Sequence, residues 1–271
     1  MTQTELFAAT LALSVVQLAQ RAGNAILSVY GEQFEVTHKT DESPLTQADL
    51  RAHEIISQGL RTLTPDVPVL SEEASDIPFE QRRQWPRYWL VDPLDGTKEF
   101  VSRNGEFTVN IALIDDHVPV LGVVHVPVTS TTYTGATGAG AFRQVDGQTP
   151  QPLRVRSPAA SPLRIVGSRS HRGDTLDQYL PKLAPYEMIA VGSSLKFCLV
   201  AEGSADFYPR FGPTSEWDTA AAQAVVEAAG GAVVTTDGEQ LRYNTKADLL
   251  NPHFLVYGDC RRDWLHLLSL R

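Results

Sequence analysis

Trp89-Leu90-Val91-Asp92-Pro93-Leu94-Asp95-Gly96-Thr97-Lys98-Glu99-Phe100 is the stretch whose reading decides the fold of this chain. Trp89, Leu90 and Val91 favour a buried strand, and Pro93, which lacks the N–H a central strand must donate, is expected to end it. Asp92 therefore stands at the mouth of a buried strand, and Asp95 follows in a Pro-Leu-Asp-Gly turn. Two like charges so close need a shared counter-charge. A hard cation such as Mg²⁺ suits them, because it takes oxygen ligands and keeps positions for water and phosphate. The competing reading is a surface turn in which the aspartates bond to local N–H groups. Two features weigh against it: the strand feeding the turn is wholly apolar, and Ser71-Glu72-Glu73 closes a second expected strand, 67–70, with two more carboxylates.

Glu72-Glu73, then Asp92-Pro93-Leu94-Asp95-Gly96-Thr97, then Trp217-Asp218-Thr219-Ala220-Ala221 resemble, in order, the three signature motifs of the inositol monophosphatase superfamily of lithium-sensitive, Mg²⁺-dependent phosphatases. The likeness covers nearly the whole chain. Within the superfamily, Lys98-Glu99-Phe100 and Gly192-Ser193-Ser194-Leu195-Lys196-Phe197 are similar to the bacterial 3'(2'),5'-bisphosphate nucleotidases of sulfate assimilation.

The resemblance implies an α+β fold, the layered α/β/α/β/α sandwich of the inositol monophosphatase and fructose-1,6-bisphosphatase type. It implies that Glu72, Asp92 and the main-chain carbonyl of Leu94 bind one Mg²⁺, that Asp92, Asp95 and Asp218 bind a second, and that Glu73 lies near a weaker third ion. Two cations about 3.5 to 4 Å apart clamp the attacking and leaving oxygens of an in-line displacement. Asp49 and Thr97, with Glu72, form the implied catalytic set, orienting the attacking water. Glu72, Leu94, Asp95, Gly96, Thr97 and Asp218 are the expected substrate contacts around the metals. Ser193, Ser194, Lys196 and Arg210 match positions that bind the base or the 5' phosphate in the nucleotidases, and Lys98 and His171 are further candidates. Several of these have an ordinary structural reading as well. Asp49 suits the first turn of a helix, Thr97 a turn after Gly96, Asp218 an N-cap, and the Lys and Arg residues a solvated surface.

The chain has 271 residues and a net charge of −9, with no basic run, which argues against a nucleic-acid surface and means an anionic substrate must be drawn in by a local positive patch. Cys198 and Cys260 lack metal-ligand spacing or a disulfide framework, so a reducing cytoplasm fits, with peripheral association at the inner membrane left open. The first cation is Arg21, unlike a secretory signal, and no apolar run approaches the roughly 18 to 20 residues of a membrane helix. Two sub-domains, 1–150 and 151–271, are expected to meet in the proline-containing segment 148–162 and to work as one unit.

Apolar spacing places a helix over 6–29 and another opening at Thr46, with Asp49 three residues on, and running through Leu60. A polar loop spans 76–87 and an antiparallel meander 108–145. Beyond 162 come strands 163–166 and 188–191, and a helix 194–202 whose Gly192-Ser193 entry reads as an anion or nucleotide-edge site. Strand 205–208, an Ala-rich helix 219–229 ending at Gly230-Gly231, strands 232–235 and 254–257 and a helix through Trp264 and Leu268 complete the chain.

The implied reaction is 3'-phosphoadenosine 5'-phosphate plus water to AMP plus phosphate, with 3'-phosphoadenylyl sulfate as a second substrate. Phosphoryl transfer asks for positioning and charge neutralisation, so no phosphoenzyme is expected. Haloacid-dehalogenase-like phosphatases, which do form one, space two aspartates by two, whereas Asp92 and Asp95 are three apart. Inositol phosphate and fructose 1,6-bisphosphate remain alternative substrates, since the metal motifs do not see the leaving group. A nucleotide-binding sensor would be expected to lose a metal ligand, and Glu72, Asp92, Asp95 and Asp218 are all present. Monomer and weak homodimer are both compatible with the sequence.

Overall fold

The computed structural model describes residues 2–32, 36–38, 44–168 and 174–270. Thr2 and Glu5 form a capping box that opens α1 (Gln3–Tyr30), whose stripe Val15, Ala19, Ala22 and Ile26 is buried. A short antiparallel pair, β1 (Thr37–His38) and β2 (Pro44–Leu45), precedes α2 (Gln47–Leu63). Thr46 and Asp49 cap α2 reciprocally, as the spacing predicts. Then follow β3 (Val69–Ser71), α3 (Phe79–Arg82), β4 (Arg87–Asp95), α4 (Thr97–Val101), β5 (Thr108–Asp115) and β6 (Val118–Val126). β7 (Thr131–Ala136), β8 (Gly140–Val145) and β9 (Gln151–Pro152) finish a seven-stranded sheet in sequence order, parallel only at β3–β4.

The second half contains β10 (Leu163–Ser168), α5 (Asp174–Tyr179), β11 (Tyr186–Val191), α6 (Leu195–Ala201), β12 (Phe207–Arg210), α7 (Ala220–Ala228), β13 (Ala232–Thr235), β14 (Phe254–Tyr257) and α8 (Trp264–Leu268). Its five strands lie in the order β11-β10-β12-β14-β13. Side-chain alternation sorts the core. Trp89 and Val91 of β4 face α1 and α2, whereas Tyr88 and Leu90 face the buried Ala221 and Val225 of α7. On the far face of the smaller sheet, Ile165, Phe207 and Leu255 pack against Leu176, Trp264 and Leu268 of α5 and α8. Five layers result, α/β/α/β/α, and the fold expectation is borne out.

The middle layer sits unusually close to the large sheet. Gly122 and Gly135 are cross-strand partners. A Cβ on Gly122 would lie 2.0 Å from the Ala221 carbonyl oxygen, and one on Gly135 would lie 2.5 Å from Val225 Cα. Only paired glycines let an Ala-rich helix rest on the strand backbone, and that contact brings the N-terminal end of α7 to the carboxyl end of β4.

Two expectations are corrected. β4 does not stop at Pro93. It continues to Asp95 through an irregularity between Asp92 and Asp95, where the proline needs no ladder hydrogen bond. The segment 76–87 is not wholly loop, since it holds α3, and Arg82 is 2% exposed, bonded to Asn244 Oδ1 and the Ala247 carbonyl. This makes it scaffold. By length and composition alone, α1 would also pass as a membrane span. Its buried stripe against α2 and the large sheet is that of a core helix.

His125 carries a pH prediction. Its ring packs where a side chain on Gly23 would sit, its Nδ1 lies 2.9 Å from Thr132 Oγ1, and burial, only partly opposed by a Thr131 backbone hydrogen bond and the Asp146 charge, pushes its pKa down from 6.5 to about 4. The unfolded chain therefore binds a proton that the folded chain refuses. Stability from this group is full above pH 6.5 and is lost as pH falls to 4, by about 3 kcal/mol. Urea unfolding at pH 7.5 and 4.5 should show a smaller pH-dependent loss in His125→Asn than in the parent protein. An equal loss in both would discount His125.

Candidate active site

The site forms where β4 ends. Asp92 is 1% exposed, and its Oδ1 accepts from Leu94 N–H at 3.0 Å, tightening the turn. Gly96 at φ +90° then turns the chain into α4, a conformation that side-chain-bearing residues rarely adopt. Carboxylate oxygens of Asp92, Asp95 and Asp218 lie within 4.8 Å of one another. Glu72 joins from β3: its N–H donates to Val91 O at 3.0 Å, and its side chain bonds Asp92.

Electrostatics show that the cluster concentrates negative charge. Burial, then the charges of Glu72, Asp95 and Asp218, hold the Asp92 pKa well above its usual 3.8. Asp218 is raised well above that value by burial and by Asp95 and Glu72. Burial also raises Asp95, against the lowering effects of Lys196, Ser194 N–H and Asn110. A largely enclosed oxygen-only donor set with excess negative charge fits a hard divalent cation, which Asp92, Asp95 and Asp218, with Glu72 beside them, could hold.

Asp95 is the best supported of these groups. Its Oδ2 accepts from Ser194 N–H at 2.5 Å and from Asn110 Nδ2 at 3.3 Å, with Thr108 Oγ1 at 3.4 Å. Ser194 Oγ bonds both Asn110 Oδ1 and Thr108 Oγ1 at 2.8 Å. Thr108 and Asn110 are not among the site residues expected from the sequence. Their signal was available: two polar residues two apart, hence on one face, at the start of a strand that is apolar from Ile111 to Ile114.

Asp49 and Thr97 meet as expected. Thr97 Oγ1 donates to Asp49 Oδ1 at 3.3 Å and lies equally far from Leu94 O. Asp49 Oδ2 accepts from Thr46 N–H at 2.8 Å and Thr46 Oγ1 at 2.7 Å. Cap and site partner are therefore the same carboxylate. Burial raises its pKa, against the Thr46 hydrogen bonds. Glu73 is half-buried and close enough for its charge to raise Asp49 further.

Asp218 is not the helix N-cap. It ends a 3₁₀ turn, Glu216–Asp218, where Oδ2 accepts from Ser215 N–H at 2.9 Å, while Thr219 holds the cap position of α7 with no side-chain capping bond, its hydroxyl donating instead to Glu216 O at 3.1 Å. The entry to α6 is also different from the expected anion site. Gly192 N–H donates to Glu106 Oε2 at 2.8 Å and Ser194 N–H to Asp95, so these two donors already serve carboxylates.

Positive charge lies on the same side. Lys196 is buried, its Nζ donates to Ser193 O, and it sits 5.7 Å from the Tyr208 ring. Burial lowers its pKa to about 8, with Asp95 opposing and Arg210 reinforcing the shift. Arg210 Nε donates to Thr214 Oγ1 at 2.7 Å, and its charge also reaches Asp218. Ser193 packs near Gly96, at 3.3 Å from the position a Cβ would take there. Lys98 is exposed, and His171 lies outside the described residues.

A layered α+β fold with a partly buried acid cluster at one strand end now has a class. The chain belongs to the inositol monophosphatase family, whose model matches residues 8–259, and is a phosphatase by that membership. It is 54% identical over 245 residues to the 3'(2'),5'-bisphosphate nucleotidase CysQ of Salmonella typhimurium (strain LT2), covering 89% of this chain and 97% of that one. The same identity and coverage hold for the nucleotidase CysQ of Escherichia coli (strain K12). Among solved structures, CysQ from Bacteroides thetaiotaomicron, described as a bacterial member of the family, is similar with a TM-score of 0.81 and 43% identity, covering 93% of this chain and 98% of that chain.

Proposed function

We propose that this protein is a 3'(2'),5'-bisphosphate nucleotidase that removes the 3'-phosphate of 3'-phosphoadenosine 5'-phosphate, giving AMP, and acts likewise on 3'-phosphoadenylyl sulfate. The observation carrying the substrate class is Lys196, a buried cation beside Asp95 with Arg210 near it. A scissile phosphate needs only the acid cluster and its cations, whereas a second phosphate needs positive groups of the protein's own. The names of the similar proteins point the same way.

Glu72, Asp92, Asp95 and Asp218, with the Leu94 carbonyl, would hold two Mg²⁺, and Glu73 a weaker third. Bound Mg²⁺ supplies charge neutralisation and acidifies a water molecule. The protein's own groups do the rest. Thr97, donating to Asp49 Oδ1, keeps a lone pair for the proton of the attacking water, and burial of Asp49 makes it a better proton acceptor. Water oxygen bonds to phosphorus, the bond to ribose O3' breaks, and one proton passes to the leaving oxygen. Segments 1–150 and 151–271 supply opposite sides of the site and act as one unit. Cys198 and Cys260, both free thiols, suit the cytoplasm.

Phosphate release should be measured side by side from 3'-phosphoadenosine 5'-phosphate, inositol 1-phosphate and fructose 1,6-bisphosphate, with Mg²⁺ and with a chelator. The expected result is a Mg²⁺-dependent preference for the nucleotide of about 10²-fold, the worth of one charge-assisted contact to the second phosphate. Preference for a sugar phosphate would overturn the substrate. No release from any of them would favour the sensor.

A further inference from the structure

Asp49 and His53 are four residues apart and share one face of α2. Through Asp49 the helix reaches the β4 turn at Thr97. Through His53 it reaches the other acid-bearing segment, with Nδ1 2.9 Å from Ser71 Oγ. Ser71 ends β3 immediately before Glu72 and is 1% exposed. β3 is a three-residue edge strand that pairs with β4 alone, and the chain bends straight after it, Ala74 N–H donating to Ser71 O at 3.0 Å.

Backbone bonds hold the end of this short edge strand, Glu72 N–H to Val91 O and Ala74 N–H to Ser71 O. The His53–Ser71 contact supplies a side-chain tie from the helix that also carries Asp49. Without it the buried Ser71 hydroxyl would lose its partner, and the turn would gain by relaxing toward another donor or water. Glu72 and Glu73, the next two residues, would move with it.

We propose that His53 is a positioning residue: by bonding Ser71 it fixes the turn that aims Glu72 and Glu73 at the acid cluster, and so sets divalent-cation affinity without touching nucleotide recognition. This rests on reading Glu72 as a metal ligand. Groups that orient metal ligands are worth about 10- to 100-fold in metal affinity, and the lower end suits a contact one residue removed.

The test is Mn²⁺ binding, followed by the electron paramagnetic resonance signal of free Mn²⁺, for His53→Leu, Ser71→Ala, their double variant, His53→Asn and Glu72→Gln. His53→Leu and Ser71→Ala should each weaken binding about tenfold, and the double variant no more than either alone. His53→Asn, which puts an amide atom where Nδ1 sits, should stay within about twofold of the parent. With saturating Mg²⁺, KM for the nucleotide should remain within about twofold in all three His53 and Ser71 single variants, a split that general loosening of the fold would not produce. Parent-like Mn²⁺ binding in His53→Leu, additive losses in the double variant, or no rescue by Asn would overturn the proposal. Glu72→Gln separates the two readings. If it binds Mn²⁺ as the parent does, the metal-ligand assignment fails, and if it alone is weakened, only the role of His53 fails. Should His53→Leu not fold, Ser71→Ala, which removes a single oxygen, carries the same comparison.

Discussion

Asp92→Asn should lower phosphate release from the bisphosphate nucleotide about 10²- to 10³-fold and yet raise the melting temperature of the metal-free protein. Asn retains the Oδ1 that accepts from Leu94 N–H at 3.0 Å, so the turn is preserved while the charge is removed. In catalysis that charge would belong to both cation sites, and losing a preorganised electrostatic group of this kind is worth about 3 to 4 kcal/mol of transition-state stabilisation. Without metal the same charge is a burden, because burial and the charges of Glu72, Asp95 and Asp218 all disfavour it. The folded pKa stands well above 3.8, so the unfolded chain releases its proton first as pH rises. Metal-free stability from this group is therefore full below pH 3.8 and falls as pH climbs toward the folded value. Asp92→Asn removes that fall. In a chelator the variant should melt about 3 to 8 °C above the parent at pH 8 and close to it at low pH, corresponding to about 1 to 2 kcal/mol. With millimolar Mg²⁺ the order should reverse, because only the parent gains ligand stabilisation. A variant that melts below the parent in chelator at pH 8 would show that carboxylate repulsion does not dominate the empty site.

Lys196→Ala should reduce kcat/KM for 3'-phosphoadenosine 5'-phosphate about 10²-fold while changing inositol 1-phosphate by no more than about threefold. A charge-assisted hydrogen bond to the second phosphate is worth about 2 to 3 kcal/mol, and 1.4 kcal/mol is a factor of ten. The pH profile tests the same assignment. With a pKa lowered to about 8, Lys196 is protonated at pH 7 and loses its charge as pH rises through 8, so KM for the nucleotide should climb above pH 8 in the parent. In the variant that climb should be absent. Because Lys196 also offsets Asp95, Mn²⁺ binding needs to be followed in parallel. Equal loss on both substrates, with weakened Mn²⁺ binding, would assign Lys196 to the support of Asp95 and leave the second phosphate to Arg210 and the groups around it.

Much of this protein can be read along the chain. Thr46 and Asp49 announce their helix because a capping box is complete within four residues, and the strand alternation of β4 to β8 follows from side chains that must choose a face. The proximity of Asp92, Asp95, Gly96 and Thr97 is covalent. Less legible is the passage of β4 through Pro93, which depends on the neighbouring strand tolerating a bulge. The same holds for the 3₁₀ turn that takes Asp218 away from the cap of α7, and for Glu106 and Asp95 claiming the N–H groups at the entry to α6. The carboxylates that claim those two N–H groups lie 86 and 99 residues away in sequence.

The sequence by itself determined which residues bear charge and which local turns present them, because caps, strand alternation and proline or glycine geometry depend on neighbours only a few residues away. Only the tertiary structure decided that Glu72, the Asp92–Asp95 turn and Asp218 converge, that Thr108, Asn110 and Ser194 support Asp95, and that His53 braces Ser71. The physical reason lies in packing. Gly122 and Gly135 let α7 settle onto the strand backbone, and a contact between surfaces about a hundred residues apart leaves no periodic trace in either of them.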